Sequence, residues 1–161
     1  MLIRFTRLTN ERHRLEFVRD DGTSEARELE TRSALLHDLV HYAVETTLGL
    51  RQSFFALVAS GVDITAFAVP KEKRTFQIPV EAVQTEHIVG HLQVEMADGA
   101  LIEDFNGSLA AACLVLGQAA PPPIPAETLD RLRAQVRDLW RRWQEIPPGG
   151  TLELEFPAAG G

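Results

Sequence analysis

Four of the five histidines of the chain fall into one repeated spacing. In each of two sets, two histidines and a glutamate follow one another in steps of four residues. Such steps advance about 400° around an α-helix, so the members of a set lie along one side of the helix. Two imidazoles on one side of a helix can reach the same metal ion with little ordering cost. The two sets are His37, His41 and Glu45, and His87, His91 and Glu95.

These spacings favour a divalent metal site, provided that the two helices pack with their histidines face to face. Three or four ring nitrogens would then suit zinc or another borderline metal. The predicted metal ligands are His37, His41, His87 and His91, and the candidate catalytic residues are Asp38 and Glu45. Glu86 and Glu95 are left as further ligands or as hydrogen-bond partners of the ligands. The alternative interpretation is that each histidine only borders the apolar face of its helix.

The segment HDLVH differs by one methylene group from the HExxH motif of zinc metalloproteases, because Asp38 stands where that motif has glutamate. The shorter side chain would hold its carboxylate back from a metal-bound water. An adjacent histidine and aspartate also occur in metal-dependent phosphohydrolases, but those proteins are all-helical and this chain contains strand-like segments. Neither class therefore accounts for the sequence.

The segment LLHDLVHYAVETTLGL resembles a motif of a family of small uncharacterised bacterial proteins, which reads roughly LPHDLVHFVVE-xx-LG. The similarity covers about sixteen residues, and Leu36 stands where the family has proline. The resemblance implies a bacterial origin and a self-contained domain, but it brings no catalytic activity with it. The residues that it implies act together are His37, Asp38, His41 and Glu45.

The composition is that of a globular protein. The 161 residues are 45% hydrophobic and 24% charged, and they predict a single domain over residues 1–161. A net charge of −7 and a pI of about 5.2 argue against binding to nucleic acid or to an acidic membrane surface. No apolar run approaches the roughly 18 residues that span a bilayer, and the N-terminus lacks the apolar region of a secretory signal. We therefore expect a cytoplasmic protein.

Two further residues with reactive side chains receive structural roles from their neighbours. Cys113 lies among alanines, valine and leucines, which predicts a buried thiol and not an activated nucleophile. His13 lies close to a predicted strand, and we expect it at the surface.

Segments of alternating polarity predict the strands. Three of them lie near the N-terminus, around residues 2–8, 15–18 and 25–30, and favour an antiparallel meander. The third is the most polar and is expected at an edge of the sheet. Residues 151–156 alternate again, so a fourth strand should join the meander from the C-terminus.

Apolar residues at helical spacing predict about five helices between the third and fourth strands. The first carries His37 and His41 and should end near Gly49, since glycine suits the left-handed position after a helix. The other four are predicted over residues 51–60, 79–96, 102–118 and 126–146, and residues 63–70 are predicted to be extended. An antiparallel sheet of about four strands against about five helices is an α+β fold.

The last predicted helix has apolar residues in alternating steps of three and four. They form a heptad seam that lasts for under three heptads, which favours packing onto the domain's own core. The alternative is a homodimer through this helix, with Trp140 and Trp143 in the interface. The residues of the seam are Leu129, Leu132, Val136, Leu139, Trp143 and Ile146.

The sequence specifies no reaction, because it contains neither a GxSxG nucleophile elbow nor a glycine-rich phosphate loop. The leading hypothesis is a binding or interaction module, and the alternative is a metal-dependent hydrolase. The hydrolase hypothesis requires that ring nitrogens from two helices surround one point. Separations of more than roughly 10 Å would leave only a packed scaffold.

Overall fold

A computed structural model of the chain has a four-stranded antiparallel sheet packed against helices, which confirms the predicted α+β fold. The structure describes residues 1–67, 69–73 and 75–157, with all of their side chains except those of Ser33 and Lys71. Residues 158–161 of the predicted domain therefore lie outside the described part. The buried apolar side chains of the sheet and helices form one hydrophobic cluster.

The sheet has the strand order β3-β2-β1-β4. β1 (Leu2–Arg7), β2 (Arg12–Val18) and β3 (Ser24–Glu30) form the N-terminal meander, and β4 (Thr151–Glu155) pairs antiparallel with β1. The polar strand β3 lies at an edge and the C-terminal strand joins the meander, both as predicted. The first and last segments of the chain thus meet in adjacent strands.

Six α-helices lie between β3 and β4 in the described part of the chain. They are α1 (Leu36–Leu48), α2 (Phe54–Ala59), α3 (Ile64–Phe67), α4 (Val80–Asp98), α5 (Phe105–Val115) and α6 (Ala126–Glu145). A π-helical turn, Thr31–Leu35, leads into α1, and a 3-10 turn, Lys71–Lys73, follows α3. α1 ends at Gly49, whose φ of 65° is the left-handed conformation that we predicted there.

Helix α3 replaces part of the extended segment that we predicted, so that prediction was wrong over residues 64–67. The reason is local. The Asp63 carboxylate accepts a hydrogen bond from the Thr65 N–H at 2.6 Å, and the Asp63 carbonyl accepts one from the Ala66 N–H at 2.9 Å. An aspartate at this position caps a helical turn.

The seam of α6 packs onto the domain's own core. The side chains of Leu129, Leu132, Val136, Leu139 and Trp143 are buried in the common cluster, and Ile146 packs against it. The Arg7 guanidinium lies 4.7 Å from the centre of the Trp143 ring and donates to its carbonyl oxygen at 2.7 Å. Trp143 is therefore an internal residue, and Trp140 is partly buried against the same core. The predicted homodimer through this helix stays a prediction.

His13 is completely buried, which contradicts the surface position that we expected. Its ring lies 6.3 Å from that of Phe5 and 6.0 Å from that of Trp143. Successive side chains of a strand point to opposite faces, so His13 shares the inner face of β2 with Leu15 and Phe17. The alternation of polar and apolar residues in β2 therefore already indicated that His13 points towards the core.

Helix α1 packs against both α4 and α6, and this arrangement positions the candidate site. Its apolar face lies in the core, but three polar residues of α1 are buried as well, namely Asp38, His41 and Glu45. Cys113 is buried in α5, as predicted. No helix in the described ranges is both long enough and apolar enough to cross a lipid bilayer.

Candidate metal centre

Helices α1 and α4 bring three potential metal ligands together. His37 and His41 lie one turn apart on α1, with ring centres separated by 4.6 Å, and Glu86 faces them from α4. One donor atom of each residue lies within 4.8 Å of the other two. Among the described residues, these three form the one such group of histidine, cysteine or acidic side chains.

Two of the separations within this group are close to those between the ligands of a small cation, and the three donor atoms lie within 4.8 Å of one another. Nε2 of His41 lies 3.2 Å from one Glu86 oxygen, and Nε2 of His37 lies 3.6 Å from the other. Ligand atoms at opposite ends of a tetrahedral edge around zinc are roughly 3.3 Å apart, given bonds of about 2.0–2.1 Å. Both distances are close to that value.

The second nitrogen of each imidazole has a partner of its own. Nδ1 of His37 lies 3.0 Å from the side-chain oxygen of Gln93, and Nδ1 of His41 lies 3.2 Å from Oε1 of Glu45. If each Nδ1 carries its proton towards that acceptor, each Nε2 is left as the ligand atom. Histidines that bind metals are usually oriented in this way by a carboxylate or an amide oxygen.

Glu45 is held in place from two sides. It is 1% exposed, and its carboxylate accepts hydrogen bonds from the backbone N–H groups of Phe55, at 2.9 Å, and Ala56, at 3.2 Å. These donors belong to the first turn of α2, which has no side-chain cap of its own. The structure therefore gives Glu45 the position of a residue that orients His41, and its predicted catalytic role stays a prediction.

His41 lies between two carboxylates, which together set its pKa. Burial by itself lowers the pKa of His41, but the hydrogen bonds to Glu45 and Glu86 outweigh burial and raise the pKa to about 9. For Glu86, burial works to raise the pKa, but the hydrogen bond to His41 together with the charges of His41, His37 and His87 outweighs burial and lowers it. Two carboxylates around one imidazole form a site in which a positive charge, from either a proton or a metal cation, would be stabilised.

Asp38 lies beside this group but is not part of it. It is buried, and desolvation raises the pKa of its carboxyl group to about 7. In the described part of the chain, its Oδ2 atom has no hydrogen-bond partner. No contact of Asp38 in the described part of the chain tests its predicted catalytic role, which stays a prediction.

The second histidine set does not face α1. His87 hydrogen-bonds through Nε2 to the side chain of Gln118, and His91 lies 3.2 Å from the Ser108 hydroxyl of α5. Glu95 forms an ion pair with Arg133 of α6 at 2.6 Å. This set has its own partners on α5, on α6 and in the loop between them.

The side of α4 that meets α1 is formed instead by Glu86 and Gln93. These residues are seven apart, which is about two helical turns, so they share one side of α4. Neighbouring residues of a helix point about 100° apart, and this turns His87 away from the side that carries Glu86. Repeated spacing showed that a polar side exists on each helix, but it did not show which side of α4 meets α1.

Comparisons with known proteins give no relative for the chain. No protein-family model matches it, and neither the curated proteins nor the solved structures contain a significant match. The bacterial family suggested by the motif around His37 stays a prediction, and function has to be argued from the site.

Proposed function

We propose that the protein binds one divalent metal ion through His37, His41 and Glu86, with the Glu86 carboxylate of α4 in place of the His87 and His91 imidazoles that the sequence predicted, and that it uses this ion for hydrolysis. The observation that carries the proposal is the orientation of the three side chains. Both Nε2 atoms approach the Glu86 carboxylate, while both Nδ1 atoms have acceptors on the opposite side. A histidine with only a structural role needs a hydrogen-bond partner at one ring nitrogen. A histidine that binds a metal through Nε2 needs an acceptor for the proton on Nδ1.

The ligand set supports a catalytic site more than a structural one. Structural zinc sites are closed by four protein ligands, whereas catalytic sites use three, two histidines and a glutamate among them, and leave one position for water. His37, His41 and Glu86 would hold the ion, and the ion would supply a water activated near neutral pH for hydrolysis of a carbonyl or phosphoryl compound. In such a hydrolysis the oxygen of water would replace the leaving group, which would take up a proton.

Metal titration of tag-free protein tests the proposal. We expect one equivalent of zinc to bind, and we expect Glu86→Gln to weaken the affinity by at least about 100-fold because the variant loses an anionic ligand. Glu86 is the suitable position because its side chain is 55% exposed, so that the substitution leaves the core intact. Calorimetry gives the stoichiometry and the affinity, and circular dichroism verifies the fold of the variant.

His91→Ala is the matched control, since His91 lies on the same helix but outside the group. It should bind zinc as the unchanged protein does. If His91→Ala loses zinc and Glu86→Gln keeps it, the site is not the one proposed. If the unchanged protein binds less than about a tenth of an equivalent of zinc, iron, nickel or manganese and gains no stability from them, the proposed metal-dependent hydrolysis is overturned.

An interaction module is the second candidate, and a different observation favours it. Leu114, Val115 and Leu116 follow one another at the end of α5 with exposed fractions of 62–85%. Consecutive exposed apolar residues are uncommon on a protein that functions alone. We propose that a second copy of the chain binds to this surface. Light scattering can detect the resulting dimer.

A further inference from the structure

A cavity of about 330 Å³ adjoins the proposed metal site. Most of its wall is apolar and is formed by Phe54, Phe67, Ile78, Ala82, Val83 and Leu116. Three polar side chains complete the wall, and they are Glu86, His87 and Gln118. The cavity is therefore a mainly apolar space with a proposed metal ligand in its wall.

Two residues connect the cavity to the histidines. Glu86 lines the cavity and contacts both His37 and His41, and the Phe54 ring, also in the wall, lies 5.9 Å from the ring of His41. A molecule inside the cavity would thus have its apolar part against phenylalanine and aliphatic side chains. Its polar end would point towards the cation held by Glu86. Pockets of this size and composition are typical of small-molecule sites.

We infer that the metal site acts on small molecules that combine a metal-binding oxygen group with an apolar body about the size of one aromatic ring. This inference rests on the proposed function, since the oxygen group needs a cation to bind. Ala82 and Val83 form the part of the cavity wall that limits the size of the apolar body of the ligand. Because Ala82 carries only a buried methyl group, a larger side chain at this position would occupy part of the cavity. A polar body of equal size would lose its hydration without gaining partners on the apolar walls.

Two hydroxamates provide the test, because both bind zinc through the same oxygens and differ only in the body. Benzohydroxamate carries a phenyl ring and acetohydroxamate a methyl group. On zinc-loaded protein we expect benzohydroxamate to bind at least about tenfold more tightly, since the ring removes much more apolar surface from water. Calorimetry on the loaded protein measures both affinities.

Ala82→Leu fills the cavity and should abolish the preference for benzohydroxamate while acetohydroxamate still binds. Ala110→Leu is the matched control, because Ala110 is an exposed alanine of α5 and its substitution should leave the preference unchanged. If Ala82→Leu does not fold, Val83→Phe narrows the same cavity from a partly buried position.

The outcomes separate the two proposals. Zinc binding with equal affinity for the two hydroxamates overturns the inference about the cavity and leaves the metal site in place. A preference that survives Ala82→Leu overturns it as well, because the phenyl ring then lies elsewhere. Failure of zinc to bind removes the proposed function, and the inference falls with it.

Discussion

His13 shows how one buried residue can link the stability of this fold to pH. The ring lies in the core between the sheet and α6, and in the described part of the chain its Nε2 atom has no hydrogen-bond partner. Burial lowers the pKa of His13 from 6.5 to about 4. A protonated imidazole at this position would be a buried charge whose Nδ1 has only the Thr31 hydroxyl, at 3.4 Å, as a partner, and such a charge is costly.

We predict that acid destabilises the protein through His13. Between pH 6.5 and pH 4 the unfolded chain binds a proton at His13 and the folded chain does not, so stability falls as the pH falls through this window. A depression of this size corresponds to at most about 3–4 kcal/mol. Urea unfolding at a series of pH values measures the free energy of unfolding, and His13→Phe should flatten its slope in this range.

His87→Gln controls for the loss of an imidazole, because His87 lies outside the core of the sheet. Its pH profile should follow that of the unchanged protein. Parallel profiles for the unchanged protein and His13→Phe would show that His13 takes up its proton in the folded state as easily as in the unfolded one.

The four-residue spacing of the histidines predicted one part of the site correctly and left another part undecided. The four-residue step placed His37 and His41 on one side of α1, and the structure agrees. The same step joined His87 to His91, but it could not show that Glu86, the neighbour of His87, faces α1 instead. That choice depends on the rotation of α4 about its own axis, which the packing of the whole helical layer sets.

At the scale of elements, α5 begins at a cap whose carboxylate occupies the space where a Cβ atom of residue 107 would lie. The Asp104 carboxylate accepts a hydrogen bond from the Gly107 N–H at 2.9 Å, which satisfies one of the free donors of the first turn. A Cβ atom on Gly107 would collide with that carboxylate. Gly90, in the middle of α4, has no heavy atom within 4 Å of the position where a Cβ would lie.

We predict opposite effects for the same substitution at these two glycines. Gly90→Ala should raise the free energy of unfolding by about 0.5–1 kcal/mol, because alanine loses less backbone freedom on folding. Gly107→Ala should lower it by about 1 kcal/mol, because the Asp104 carboxylate must turn away and the cap is lost. Chemical denaturation measures both values.

Asp104→Ala supplies the control for this pair. Once the carboxylate is gone, Gly107→Ala has nothing to displace and should no longer destabilise the protein. Equal stabilisation by Gly90→Ala and Gly107→Ala would mean that the Asp104 cap contributes nothing to the stability of α5.

At the scale of the whole molecule, the chain buries the seam of α6 and leaves a different apolar surface exposed. Trp143 is 3% exposed, so self-association cannot use it without opening the core. The end of α5 is the alternative, with Leu114 and Val115 the most exposed large apolar side chains of the described residues.

We predict that light scattering at high protein concentration gives a mass above that of one chain, and that Val115→Glu lowers it towards the monomer. A charge at the centre of an apolar contact has to be desolvated, which weakens association. Trp140→Ala tests the predicted contribution of α6 under the same conditions. A strict monomer at every concentration would leave self-association without support.

The sequence by itself determined most of the elements of this protein, with α3 as the exception. Alternation with period two gave the strands and the polar edge strand, and apolar spacing gave the long helices. Gly49 marked the end of α1. These features depend on contacts between near neighbours in the chain, or on which face of one element is apolar, and both can be read locally.

Only the tertiary structure decided which polar sides meet. The packing of α1 against α4 selected Glu86 and Gln93 as the partners of the two histidines, and it turned His91 towards α5. Residues 45 and 55 come together because α2 folds back onto the end of α1. The physical reason is that a helix presents several polar sides of similar spacing, and the shape of the common core determines which one is turned inward.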